Sequence, residues 1–416
     1  MDDVAFPTGF LWGASTSAYQ IEGGNEHADW WEWEQAGHVA EKSGRATDSW
    51  NRWPLDLDLA ASLGLGVYRI SVEWSRVEPE PGRFDVSAIG RYVEMVRSIR
   101  ERGMQCMVVL WHFTNPVWLA QGGEQWSDDR SPEAFERYVR RVVPELAPHV
   151  DWWATMNETN TYVDHGWMRG DWPPGRTGDW AGGVRAYEYL ARGHRRASAA
   201  IHELAGPNAR VGLTHVMPWA HPAANASVAL TAPHRTFFHW EAAHFFLDKV
   251  RHDLDWLGVQ YYYDTPMNLR TQVDSDGGVP RTDLGWRIYP EGLYHVVREA
   301  WRRYRVPILV TENGLADLGD TQRVRFILDH VAWLARAIDE GADVRGYLHW
   351  SLIDNFEWAF GFAPRFGLAE VDYATFARTP RPSAGLYSRI ACENRLAAGM
   401  GGGATYANGV SSLGPK

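Results

Sequence analysis

Ile308-Leu309-Val310-Thr311-Glu312-Asn313-Gly314 is an apolar, β-branched run that ends abruptly in a carboxylate, an amide and a glycine. A short run of this kind with no polar alternation reads as a strand buried on both faces, as strands of a parallel sheet are. Trp152-Trp153-Ala154-Thr155-Met156 repeats the form and leads into Asn157-Glu158. A single Glu at a strand end is more often a solvated cap or an ion-pair partner than a reacting group. Two of them at the carboxyl ends of two buried strands suggest a pair of acids facing each other across a pocket.

Outward from these two stretches, the same strand-then-helix unit recurs along the chain. Strands are expected at Leu11–Gly13, Val67–Ile70, Met107–Leu110, Trp152–Met156, Val211–Val216, Leu257–Tyr263, Ile308–Thr311 and Gly346–Trp350. The helices that follow them are expected near Pro54–Leu63, Ser87–Arg102, Pro132–Leu146, Val184–Leu204, Phe237–Val250, Glu291–Tyr304, Gln322–Asp339 and Ser383–Leu396. Ser131-Pro132 is a good helix start, because proline loses nothing at a position whose N–H has no intrahelical partner. Eight such units with no Pro/Ser-rich linker between them predict one α/β domain, a (β/α)₈ TIM barrel over residues 1–398; a doubly wound sheet is the structural alternative, against which eight regular units with polar residues at many strand ends favour the closed barrel. In that fold both Glu158 and Glu312 lie on the carboxyl-terminal face, where such barrels carry their active sites. Residues 399–416 are rich in Gly, Ala and Ser without pattern and are expected to form a disordered tail.

Composition narrows the function. With 45% hydrophobic and 22% charged residues the chain can bury a large core, and a formal charge of −11 with no Lys/Arg block argues against a nucleic-acid surface. No apolar run approaches the ~20 residues that a membrane span needs. The acidic start Met1-Asp2-Asp3 lacks the layout of a signal peptide, and the two cysteines, Cys106 and Cys392, form no disulfide framework, so a cytoplasmic location is expected. The 23 Trp stand out. Most of them are expected to be packing between helices and sheet; the surplus suits a site that stacks on the flat faces of sugar rings.

The strand ends bring Gln20, Arg69, His112, Asn157, Glu158, Tyr261-Tyr262, Glu312, Trp350 and the run Asp354-Asn355-Phe356-Glu357-Trp358. Amides, an imidazole and a carboxylate hydrogen-bond hydroxyl groups, and Trp stacks on a pyranose, so an uncharged hydroxyl-rich small molecule fits. Phosphate would call for a glycine-rich turn or a cationic clamp, and neither is evident. His38, His112, His194 and His215 show no tight spacing of metal ligands; no metal or organic cofactor is expected.

Six ordered blocks now resemble glycoside hydrolase family one, the β-glucosidase family. They are Phe6-Pro7-Thr8-Gly9-Phe10-Leu11-Trp12-Gly13, Tyr68-Arg69-Ile70-Ser71, Asn157-Glu158, Thr311-Glu312-Asn313-Gly314, Trp350-Ser351-Leu352-Ile353-Asp354-Asn355-Phe356-Glu357-Trp358 and Arg365-Phe366-Gly367-Leu368. The resemblance implies a retaining β-glycosidase, with Glu312 as nucleophile and Glu158 as acid and then base. It implies that Arg69 and Tyr262 orient the nucleophile, and that Gln20, His112, Asn157, Tyr262, Trp350, Glu357, Trp358 and Phe366 bind the sugar, Asn157 at its 2-hydroxyl. Relatives specific for 6-phosphorylated sugars carry phosphate-gripping residues where Glu357-Trp358 stand here. An acid at that place implies an unphosphorylated β-glycoside or oligosaccharide, a glucoside foremost, with galactosides and fucosides accepted.

Three positions depart from the family pattern: Thr159 follows the acid where proline is usual, Gln260 stands where asparagine is usual, and Phe113 follows His112 where tryptophan is common. The connection from Pro218 to Pro233 reads as short and polar, which would leave the leaving-group side open. Transglycosylation uses the same two carboxylates and is the alternative enzyme reading. A non-catalytic sugar-binding barrel is the alternative from another class, and the intact Glu pair weighs against it. The oligomeric state is not legible.

Overall fold

The computed structural model describes residues 3–121, 124–223, 226–268, 278–397 and 400. Eight parallel strands close into a barrel: β1 Leu11–Ser15, β2 Val67–Ser71, β3 Gln105–Val109, β4 Trp152–Asn157, β5 Val211–Val216, β6 Trp256–Gln260, β7 Ile308–Asn313 and β8 Val344–Trp350, in sequence order around the ring. Val67, Met107, Val109, Trp152, Ala154, Trp256, Leu309 and Leu348 form one apolar cluster contributed by the barrel strands themselves. The two indoles meet edge to face at 5.7 Å. Large rings of this kind fit inside a narrow barrel only where a neighbour gives way. At Gly212 a Cβ would lie 2.3 Å from the Trp256 carbonyl and 2.8 Å from its ring, so glycine is required there.

The helices cover the barrel: α1 Ser49–Ser62, α2 Val86–Glu101, α3 Ser131–Leu146, α4 Trp180–Ala205, α5 Val228–His239, α6 Glu291–Tyr304, α7 Arg323–Asp339 and α8 Pro382–Glu393. Most are amphipathic. In α3, for instance, Phe135, Tyr138, Val139, Val142, Val143 and Leu146 are buried on one face at helical spacing. By contrast, α5 buries only Thr231 and leaves Val228, Leu230 and Phe237 exposed. Asp85 caps α2 by accepting from Ala88 N, and Asp179 caps α4 by accepting from Gly182 N; each such cap contributes about 1 kcal/mol. Val4–Ala5 pairs antiparallel with Arg395–Leu396, which ties the two ends of the barrel sequence together.

The fold departs from the sequence reading in several places. The expected helix Phe237–Val250 is α5 from Val228 to His239, a wider turn at Trp240–His244 and a short helix at Phe245–Val250, and the last helix stops at Glu393, with Arg395–Leu396 in a strand. The sixth strand ends at Gln260 instead of running to Tyr263. The chain leaves the barrel there, and Asp264–Met267 pairs in parallel with Trp219–Pro222. Pro218–Pro233 is therefore no open polar connection: it holds that outer strand and the start of α5, which runs through Pro233. The first helix begins at Ser49, ahead of Pro54. The expectation for 399–416 lies outside the described residues except at Met400. Among the described residues no helix is long and apolar enough to cross a membrane.

Candidate active site

Each residue of the Glu312-Asn313-Gly314 stretch has a separate physical reason. Asn313 staples β7 to both neighbours: its Nδ2 donates to Tyr261 O on the β6 side at 2.6 Å, and its Oδ1 accepts from the Tyr347 hydroxyl on β8 at 2.8 Å. Gly314 passes so close to β8 that a Cβ would lie 1.8 Å from the Trp350 carbonyl. Between these constraints the Glu312 backbone has no freedom, and its carboxylate is held in turn. The Arg69 guanidinium donates to Oε1 at 2.6 Å, and the Tyr262 hydroxyl donates to Oε2. Arg69 is completely buried in β2, and its other terminal nitrogen reaches Asn157 Oδ1, also at 2.6 Å.

On the other side, β4 delivers Asn157 and then turns. Glu158 sits in the left-handed region at φ 41, with its N–H bonded to Thr214 O at 2.8 Å, and heads the short helix Thr159–Val163. Thr159 is the first residue of that helix, a place that also suits proline, and its hydroxyl is buried with no partner among the described residues. Gln260 is buried at the end of β6 and donates from Nε2 to Asn157 Oδ1 at 2.9 Å. Phe113 packs edge-on against Trp172 and Trp358 at 5.0 and 5.3 Å, so it supports the Trp358 indole.

Glu158, Glu312 and all eight residues expected to bind the sugar line one cavity of about 390 Å³ at the carboxyl ends of the strands; Arg69 lies beneath it. A second cavity of about 500 Å³, bounded by Trp219, His239, His295 and Arg302, contains neither carboxylate. His112 lies nearly parallel to both Trp350 and Trp358. The Gln20 amide donates to Asn355 Oδ1, Phe356 O and Glu357 Oε2 and accepts from Ser17, which fixes the position of Glu357. Asp354 anchors the loop that carries Glu357, Trp358 and Phe366: it accepts from both terminal nitrogens of Arg381, from Arg365 and from Gly367 N.

Burial pushes both acids upward, but their neighbours act in opposite directions. For Glu158 burial is the largest cause and the Glu312 charge the second, both raising it. For Glu312 burial is opposed by the Arg69 charge and by hydrogen bonds from Tyr262 and Arg69. One proton shared by the pair therefore resides on Glu158. Glu357 is raised to about 8 by burial and then by the Glu312 charge. His112 is held well below the usual imidazole range by burial and by Arg69, so it is neutral.

The sequence matches Glycosyl hydrolase family 1 over residues 3–253 and 247–396. The chain belongs to that family. Among curated relatives, a β-galactosidase of Saccharolobus solfataricus is 30% identical over 94% of this chain and 96% of its own length, and β-glucosidase A of Thermotoga maritima is 28% identical over 95% and 100%. A solved β-glycosidase from Pyrococcus horikoshii superposes with a TM-score of 0.87 at 34% identity, covering 96% of this chain and 97% of that one. This family-1 protein is a glycoside hydrolase, and its barrel is the family's barrel.

Several cavity residues of this glycosidase had no signal in the sequence. Trp172, Tyr263 and Trp286 line it from loops, Phe238 from the last turn of α5 and Glu241 from the segment just after it. Trp286 stands edge-on to Tyr262 at 5.8 Å, yet nothing in Asp283-Leu284-Gly285-Trp286 marks it as more than a turn. Thr214 was also missed; a polar residue within the Leu213–Val216 strand was the available clue. Phe238, Glu241 and Ala242 border the cavity on the side where the reading of Pro218–Pro233 expected an opening. Of the other histidines, His38 stacks on Trp33 and His194 bonds Thr155, and neither belongs to the cavity.

Proposed function

We propose that this family-1 hydrolase is a retaining β-glycosidase acting on unphosphorylated β-glycosides, with Glu312 as nucleophile and Glu158 as acid and base. The observation that carries this reading is the asymmetry of the pair. Arg69 and Tyr262 keep Glu312 ionised and aimed, while Glu158, buried beside that charge and with no ion pair to a cation among the described residues, keeps its proton. Glu312 attacks the anomeric carbon as Glu158 protonates the departing oxygen, giving a glycosyl ester on Glu312. The ester has no charge. The repulsion that held the proton on Glu158 is then gone, and the ionised Glu158 takes a proton from the water that attacks the ester. Two inversions give net retention.

Asn157, His112, Gln20 and Glu357 hold the hydroxyls of the sugar, Trp350 stacks on its face, and Phe366 walls the 6-position. Glu357, ionised or protonated, supplies no cation for a 6-phosphate. Relatives named β-glucosidase and β-galactosidase support both glycones. The aromatic wall of Trp172, Phe238 and Tyr263 receives the leaving group. The unjoined thiols, Cys106 buried and Cys392 exposed, support a cytoplasmic location. Nitrophenol release from nitrophenyl β-glucoside, β-galactoside and β-fucoside, with the first-formed sugar observed as the β-anomer by NMR, is the expected outcome. Turnover of only the 6-phospho-β-glucoside, or an α-anomer formed first, contradicts it.

A further inference from the structure

Resting on that reading, we infer that Gln260 is a positioning residue for the substrate's 2-hydroxyl, acting through the side-chain amide of Asn157. Three donors converge on Asn157 Oδ1: Arg69 Nη2 at 2.6 Å, the Thr214 hydroxyl at 2.7 Å and Gln260 Nε2 at 2.9 Å. An amide turned the other way would set its NH₂ against the Arg69 guanidinium, which has no acceptor, so only this orientation is compatible with Arg69. Asn157 Nδ2 is thereby directed to the cavity side, 3.3 Å from His112 Nε2. A neutral His112 can accept there, and the remaining amide hydrogen is free for a ligand hydroxyl.

Gln260 suits this task alone. It is fully buried, paired in register with Glu312 on one side and Val216 on the other. Its Oε1 has no partner among the described residues, a cost that a residue serving only to fill space would not incur. The donor half of the amide is the part in use, and it meets Asn157. Arg69 differs in this respect, because its guanidinium serves both Asn157 and Glu312. Removing the Gln260 donor therefore separates recognition of the 2-hydroxyl from alignment of the nucleophile.

The test compares nitrophenyl β-glucoside with its 2-deoxy analogue in wild type and in Gln260→Met, which keeps the length and loses the donor. The expected result is a loss of about tenfold in kcat/KM for the glucoside, the size of one weakened hydrogen bond in the transition state, with the 2-deoxy substrate unchanged. The preference for glucoside over 2-deoxyglucoside falls by the same factor, and steady turnover of the deoxy substrate shows that the variant is folded. Gln260→Leu, which also lacks the donor and leaves Arg69 untouched, moves the same ratio in the same direction and carries the test if Gln260→Met does not fold. Equal losses on both substrates, or no change in the ratio, overturn the role of Gln260 while the wild-type activity upholds the parent reading. A wild type that turns over no β-glycoside overturns both.

Discussion

At the residue scale, Arg69 joins the parts of the site. One buried guanidinium spans Glu312 and Asn157, so the charge that keeps the nucleophile ionised also fixes the amide beside the acid. Each member is then tuned by the others. Glu312 raises Glu158 and Glu357 through its own charge. Replacing Glu312 by Gln removes a like charge and leaves Arg69 unmatched, and both changes favour the ionised form of the two remaining acids. Their protons are therefore expected to leave at lower pH in Glu312→Gln than in wild type. An infrared titration of the protonated carboxyl band checks this; an unchanged titration would mean that burial alone sets both groups.

At the scale of elements, the site depends on a loop fastened far from its tip. Asp354 is completely buried and neutralises Arg381 while holding the loop that ends in Glu357-Trp358. Asp354→Ala leaves a buried guanidinium without its partner, a loss of about 3–5 kcal/mol of stability. Turnover of β-glucosides is expected to fall with it, because Trp358 and Glu357 lose their support. Urea denaturation alongside kinetics checks the prediction; a variant as stable and active as wild type would contradict it. The elements themselves were largely legible in the sequence. A parallel strand buried on both faces must be a short apolar run, and eight such runs separated by amphipathic stretches leave few alternatives to a barrel. The pairing of Trp219–Pro222 with Asp264–Met267 was not legible, since the partners lie far apart in sequence and neither carries a turn signal. The same limit hid Trp286 and, on α5, Phe238: both reach the cavity through long-range packing, whereas Glu158 and Glu312 reach it through the strands that precede them. Of the 23 Trp, Trp172, Trp286, Trp350 and Trp358 line the cavity. Trp30, Trp74, Trp111, Trp126, Trp153, Trp167 and Trp256 are fully buried packing, so packing claims more of the tryptophans than the sugar site does, in line with the sequence reading.

At the scale of the whole molecule, the core carries histidines that burial keeps neutral. His215 in β5 is pushed down to about 3, by burial first and His244 second, and it does not line the cavity. A group whose folded pKa is depressed costs stability once the unfolded chain can take up the proton. For His215 that window opens below the unfolded value of about 6.5 and closes near the folded one. Between pH 7.5 and 5.5, wild type is expected to lose about 1.4 kcal/mol more stability than His215→Phe. Urea midpoints at the two pH values decide this, and equal losses would show that His215 does not remain neutral in the fold. The same core holds the strand ends rigid, and on that rigidity the chemistry depends.

The most direct measurement of the central claim is covalent trapping with a 2-deoxy-2-fluoro-β-glucoside bearing a good leaving group, followed by peptide mass spectrometry. Fluorine at C2 slows both steps, and a good leaving group lets the first outrun the second, so the glycosyl-enzyme accumulates. The expected result is one sugar per chain, carried by the peptide that contains Glu312, and slow recovery of activity as the ester hydrolyses. A label on Glu158, or rapid turnover of other β-glycosides with no label on any residue, would contradict the assignment of Glu312 as the nucleophile.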